Sequence, residues 1–122
     1  MFNEKSIKEE AVTFEKVIST LFFPVGRQVS TVVERLPKGR FVIKTEVTFS
    51  HLDNVSNLIT LEFKRDKKDR QAYQIDAVVL YRRVDGKTDT FRFATDEDYV
   101  PLLVEVIDTH GICTHLLKEI KE

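Results

Sequence analysis

The sequence predicts an α+β fold: an N-terminal helix, a five-stranded antiparallel meander and a C-terminal helix broken near Gly111, with the helices mainly on one sheet face. Three observations carry this. Ile7, Ala11, Phe14, Ile18 and Leu21 recur at four- and three-residue steps, the stripe of an amphipathic helix. Tyr73, Ile75, Ala77, Val79 and Tyr81 fall on every second position, the period of a half-buried strand. Several runs of that period follow one another through residues 41–93 with short turn-forming links, which implies an antiparallel meander.

The N-terminal helix has its start signal in Ser6-Ile7-Lys8-Glu9, a capping-box pattern in which serine and glutamate satisfy free backbone donors. Phe23-Pro24 ends it, because proline disfavours helical geometry in the residue before it. The stripe fits a core-packing helix, and over two heptads it also fits a short coiled-coil seam. Residues 27–36 read as a first strand, weakly alternating and polar enough for an edge. Pro37-Lys38-Gly39 is a turn. Phe41, Ile43, Thr45, Val47 and Phe49 form the second strand, residues 51–57 a loop, and Ile59, Leu61 and Phe63 the third strand. Residues 65–70 make a charged connection to a hairpin over residues 71–95.

The hairpin turns at Asp85-Gly86, where glycine tolerates positive φ. A two-residue loop sets Val84 opposite Lys87 and Phe91 beside Leu80. A three-residue loop over residues 84–86, with Gly86 in a bulge, sets Phe91 beside Val79 and Phe93 beside Ala77. One residue of slip exchanges the faces of every side chain. The bulged loop is the expected one, since it joins both phenylalanines to the five-member row of the fourth strand. Beyond the hairpin, Asp98 is the expected N-cap of a helix whose first turn holds Pro101. Gly111 stops or kinks that helix, and residues 112–121 resume it.

A chain of 122 residues is one domain over 1–122, able to bury roughly two-thirds of its unfolded surface. With 42% apolar and 32% charged residues, the composition is that of a folded protein and not of a disordered one. A formal net charge of −1 gives no global attraction to nucleic acid or anionic membrane. Cys113 stands alone, so an intramolecular disulfide is excluded and a reducing compartment suits the chain. No apolar run reaches the ~20 residues of a bilayer span, and the N-terminus has no signal-peptide core. The expected location is cytoplasmic.

Three groups invite chemistry. His110, Cys113 and His115 are residue types that zinc prefers, but the spacing matches no known ligand set and a closed site needs a fourth ligand, for which only His51 and Asp53 are candidates. The plainer account is two partly exposed histidines and a buried thiol, so no metal and no cofactor are expected. Asp53 with Glu62-x-Lys64 superficially resembles the carboxylate–lysine triad of the restriction-type nuclease family. That resemblance would make the two acids magnesium ligands and the lysine an aid to water attack. Glu62 and Lys64 also read simply as the polar row of an amphipathic strand. Cys113 lacks a glycine-framed turn or activating base, and no phosphate loop or hydrolase triad is present.

Lys64, Arg65, Lys67, Lys68 and Arg70 outnumber Asp66 and Asp69, and Arg82, Arg83 and Arg92 extend the basic character along neighbouring strands. Strands followed by Thr-x-x-Asp-Tyr and an apolar helix, over residues 40–110, loosely resemble the Whirly type of single-strand nucleic-acid binder. That resemblance implies phosphate contacts from these cations and base stacking on Tyr73 or Tyr81. A solvated turn that blunts a sheet edge is the alternative. Residues 96–108 carry five acids and no lysine or arginine, so the surface is polarised. Polarity of this kind steers protein partners. The leading expectation is therefore a small non-catalytic protein-interaction module of adaptor, inhibitor or immunity type, self-associating as a homodimer. Val78, Leu80, Arg82 and Arg92 are the expected sheet-face contacts, and Leu102 and Val106 the helix contacts.

Overall fold

The structure is a computed structural model that describes residues 1–23, 26–50 and 52–112. Its elements are α1 (Glu4–Phe22), β1 (Gly26–Leu36), β2 (Arg40–Phe49), β3 (Leu52–Arg65), β4 (Tyr73–Val84), β5 (Lys87–Ala94) and α2 (Val100–His110). The strands pair in chain order, each antiparallel to the next, in one five-stranded sheet with β1 and β5 at its edges. The α+β architecture read from the sequence is the one observed.

Helix α1 begins a turn earlier than Ser6 suggests. Asn3 is the cap: its side chain accepts from the Ser6 amide at 2.8 Å, while the Asn3 amide donates to Ser6 Oγ at 2.8 Å. Serine thus sits at the third position of the box. The buried stripe Ile7, Ala11, Phe14, Ile18 and Phe22 packs into the main core and not into a coiled-coil seam. Residues 52–57 are strand and not loop: β3 starts at Leu52 and runs for 14 residues. The ladder with β2 takes in Asn57 and Ser56, opposite Val47 and Thr48, and then shifts register so that Phe49 faces Leu52, while Val55 pairs with Val84 of β4.

The decisive local feature is a bulge in β4. Glu62 faces Ala77 and Phe63 faces Ile75, which leaves Asp76 as the extra residue. A bulge puts two successive residues on one side, so the period-two row changes faces there. Tyr73 and Ile75 enter the core and Val78 and Leu80 continue it, whereas Ala77 and Val79 are buried outside the core cluster. The β4–β5 register follows: Val78 pairs with Phe93, Leu80 with Phe91 and Val84 with Lys87. The loop is therefore the two-residue Asp85-Gly86, with φ of 52° and 80°, a turn whose twist suits the flanking strands. The expected three-residue loop, with Phe91 beside Val79 and Phe93 beside Ala77, is overturned. It assumed that the row from Tyr73 to Tyr81 stays on one face.

Both helices contribute to a single cluster with one row of the sheet. It unites the α1 stripe and Leu103, Val106 and Ile107 of α2 with Phe41, Ile43, Ile59, Leu61, Val78 and Leu80. Tyr99, and not Asp98, occupies the N-cap of α2, with Pro101 in the first turn. The Tyr99 hydroxyl donates to Glu10 at 2.7 Å, tying the head of α2 to α1. Burial first, and then this carboxylate, hold its phenol above the usual tyrosine range. At the far end Gly111 caps α2 through its amide to the Ile107 carbonyl at 2.9 Å, and a Cβ there would stand 2.6 Å from that oxygen. The buried Asn57 side chain then accepts from Ile112 N at 3.2 Å and donates to Ile112 O at 3.4 Å, anchoring the end of α2 over β3. The expected resumption of helix over residues 112–121 lies almost wholly outside the described residues. No helix among the described residues is long and apolar enough to cross a membrane.

Candidate functional site

The two edges of the sheet differ. Strand β5 is short and carries Lys87, Asp89 and Arg92, with Asp89 held by Arg82 at 3.1 Å. The His110 ring stacks on Phe91 with centroids 4.2 Å apart, which covers the inner side of that edge. Such charges and cover are how edges are normally protected. Strand β1 is covered by α1 on its inner side, and its charges, Arg27, Glu34 and Arg35, stand only toward its ends. It runs for 11 residues without proline, and Gln28 to Val33 carries no charge. Its one irregularity, between Gly26 and Gln28, lies at its start. Its acid and base at the far end are already neutralised, Glu34 by Lys44 at 2.6 Å and Arg35 by Glu4 at 3.0 Å. Only β2 pairs with it among the described strands, so alternate backbone groups face outward along its length. Val32, on the face away from the helices, is 58% exposed.

Helix α1 runs beside this edge. Glu10, a 100° turn from the buried stripe on one side, faces Tyr99 and α2. A turn the other way lie Lys5, Lys8, Val12, Glu15 and Ser19, at three- and four-residue spacing, on the flank toward the free edge of β1. Val12 is 72% exposed in the middle of that flank. Lys8 and Glu15 have no ion-pair partner among the described residues. A groove of about 560 Å³ continues from Val12 over the outward side of the helix, along Thr13, Lys16, Val17, Thr20 and Leu21.

The residues expected to form a sheet-face contact do not meet. Val78 and Leu80 are fully buried in the core. Arg82 lies on the same side, half-buried, where it donates to the His110 carbonyl at 3.2 Å and sits over the Phe91 ring. Arg92 pairs with Val79 and therefore projects from the opposite face. There it joins a closed network. Asp76, placed on that face by the bulge, meets Arg40 at 3.0 Å, Arg92 at 3.3 Å and Lys64 at 3.4 Å. Glu62 meets Arg92 at 3.2 Å and Arg40 at 3.6 Å. In α2, Val106 is buried and Leu102 packs partly against the core; Val100 and Val104 are its outward apolar residues.

The cations assigned to nucleic acid divide in the same way. Lys64 belongs to the network, and Arg65 lies over the Tyr73 ring at 6.0 Å. Lys67, Lys68 and Arg70 are exposed on the turn between β3 and β4. Asp66 shapes that turn, accepting from the Asp69 amide at 2.9 Å, the Lys68 amide at 3.0 Å and the Gln74 side chain. The Asp69 amide, above all, holds the Asp66 carboxyl below its ordinary range. A hollow of about 460 Å³ opens between Lys64, Arg65, Asp66, Lys67, Lys68 and Gln74. Arg83 lies at the other end of β4, roughly 30 Å away at the rise of a strand, and Tyr73 is buried in the core. No continuous basic and aromatic track joins them.

The remaining constellations also separate. Asp53 and Glu62 are nine positions apart on one strand, about 30 Å, so they cannot share a magnesium ion. The acid that does approach Glu62 is Asp76, and two arginine guanidinium groups bridge them. Of the histidine–cysteine set, Cys113, His115 and His51 lie outside the described residues, and His110 is engaged with Phe91. The described residues hold no group of three metal-ligating side chains.

Comparison with protein families, curated proteins and solved structures finds no match. The surface must therefore be read from its own chemistry. Its key residues, Val12 and Val32, were not singled out from sequence. The available signal was the uncharged run from Gln28 to Val33 in the first strand of a meander, a strand that has only one neighbour in chain order.

Proposed function

We propose that this chain is a small, non-catalytic, intracellular protein-interaction module that binds by strand addition at the β1 edge, with the neighbouring flank of α1 as a second contact. The carrying observation is the unpaired edge itself: 11 residues of strand with an uncharged centre, beside the exposed Val32 and Val12. Strand addition satisfies the outward backbone groups, and the alternating side chains confer selectivity. Long apolar edges are normally blunted in proteins that stay alone. The sheet-face contact expected from sequence gives way to this edge, because its apolar members are core residues.

The test is site-specific photo-crosslinking in the native cell. A photoreactive side chain at Ser30 or Val32 yields a defined protein adduct, and the same group at Lys68 does not. Adducts are lost when Thr31 is replaced by proline, provided the variant retains its melting temperature. A nucleic-acid adduct at Lys68, with none to protein at the edge, would replace this reading with the single-strand-binding one.

A further inference from the structure

The geometry points to a second copy of this chain as the occupant of the β1 edge, in a two-fold dimer whose axis passes between Thr31 and its copy and between the two Val12 side chains. This rests on the reading of that edge as the binding surface and names its partner.

The placement of α1 over β1 fixes where such an axis can lie. At one end Arg35 meets Glu4 at 3.0 Å; at the other a Cβ on Gly26 would stand 3.1 Å from Phe22 Cβ. Between these points the helix spans roughly 27 Å and the strand about 30 Å. The two elements therefore run antiparallel with their midpoints in step, and the centre of β1 at Thr31 lies at the level of Val12. Antiparallel self-pairing of an edge strand requires an axis perpendicular to the sheet, and residues of like facing must meet. Centred on Thr31, the pairing sets Val29 against the partner's Val33 and Ser30 against the partner's Val32. The centre from Gln28 to Val33 brings no charges together, and the one like-charged pairing, Arg27 with the partner's Arg35, falls at the ends of the strands.

The same axis joins the helices. Two β1 strands lie about 4.8 Å apart when paired. Helices resting over β1 and β2 then come within about 10 Å, the separation of packed helix pairs. Val12 meets its own copy at the axis. Lys8 and Glu15 lie almost equally far to either side of Val12, so each Lys8 approaches the partner's Glu15, and this happens twice. Both residues lack an ion pair among the described residues, and the flank is complementary to itself in charge as well as in shape. A foreign peptide laid on the edge would use the backbone groups but leave this helix flank uncovered.

Light scattering and sedimentation of the intact chain, with charge exchange, test the proposal. The expected mass at high concentration is twice 14.2 kDa. Val12→Glu, Lys8→Glu and Glu15→Lys each weaken dimerisation at least tenfold, while Lys8→Glu combined with Glu15→Lys restores it. Lys8 and Val12 are exposed and Glu15 is half-buried, and circular dichroism confirms the fold. Amide exchange in Val29–Val33 slows as the dimer forms. A monomer at every concentration overturns this inference while leaving the photo-crosslinking result to decide the broader reading. A dimer indifferent to Val12→Glu and to the charge exchange, or one whose β1 amides exchange unchanged, also overturns it.

Discussion

Two buried threonines should respond in opposite directions to the same substitution. Thr60 lies on β3 between Lys44 and Val79, is 3% exposed, and its hydroxyl has no hydrogen-bond partner. Thr45 on β2 is equally buried, but its hydroxyl lies 2.8 Å from that of Thr31. Valine replaces the hydroxyl by a methyl group at nearly constant shape, so the gain in apolar burial is common to both. At Thr60 the change also removes an unsatisfied buried group, which relieves about 1–3 kcal/mol. At Thr45 it breaks a bond worth about 1 kcal/mol, and the half-exposed Thr31 falls back on water. The two variants should therefore differ by at least about 2 kcal/mol. A chain of this length unfolds with an entropy near 0.26 kcal/mol/K by the average per-residue value, so that gap is about 8 °C in Tm. Thermal unfolding followed by circular dichroism, with urea titrations to check that m is unchanged, measures it. Thr60→Val melting at or below Thr45→Val would refute the assignment of an orphaned hydroxyl.

Three further outcomes follow from the register and the charges. Leu80→Ala empties a fully buried site and should cost about 3 kcal/mol, some 12 °C in Tm. Tyr81→Ala on the half-buried opposite side should cost less, and a reversed order in calorimetry would reinstate the bulged hairpin loop. Asp76→Ala leaves Arg40, Arg92 and Lys64 facing one another, with a cost of about 1–2 kcal/mol that shrinks as salt rises; a salt-independent loss in denaturant titrations would point to the bulge and not to the charges. The Asp66 carboxyl is held below its ordinary 3.8, so its support of the turn is complete above that value and disappears as the pH falls through the lowered one. NMR shifts of the Lys68 and Asp69 amides should titrate with a midpoint under 3.8, and a midpoint above it contradicts the hydrogen bonds.

The order of elements was legible because each depends on local rules. The α1 stripe, the alternation of β2 and the Asp-Gly turn are all written within a few residues. The side of the sheet on which a strand's row ends was not legible, because it depends on a single added residue. Nothing about Asp76 in the sequence marks a bulge: it sits between Ile75 and Ala77 in unbroken alternation. The bulge becomes favourable only with its partners in place, where Asp76 gains three cations from β2, β3 and β5. From that point Val78 and Leu80 exchange roles with Ala77 and Val79, and the residues assigned to a partner become core. The helix caps slipped for a smaller reason. Asn3 and Ser6 are both good capping residues that sequence alone does not rank, and the N-cap of α2 is Tyr99, with no side-chain cap hydrogen bond, so no capping signal marks it.

The choice of edge over face follows from where the fold uses its charges. On the face away from the helices, Arg40, Lys64 and Arg92 are spent on Glu62 and Asp76, around buried Val42, Thr60, Ala77 and Val79. A partner docking there would have to desolvate ion pairs that already satisfy one another, and such exchange gains little. The turn cations Lys67, Lys68 and Arg70 are exposed, so contact with them steers an encounter more than it holds a complex. At β1 the situation is different. Among the described strands only β2 pairs with it, so its outward backbone groups are left to solvent, and Val32 and Val12 stand near them, exposed. A docking strand exchanges water for protein hydrogen bonds at little net cost and covers Val32, and a partner that also brings a helix to the α1 flank removes Val12 from water as well. The gain therefore comes from apolar burial, and the backbone bonds set its register.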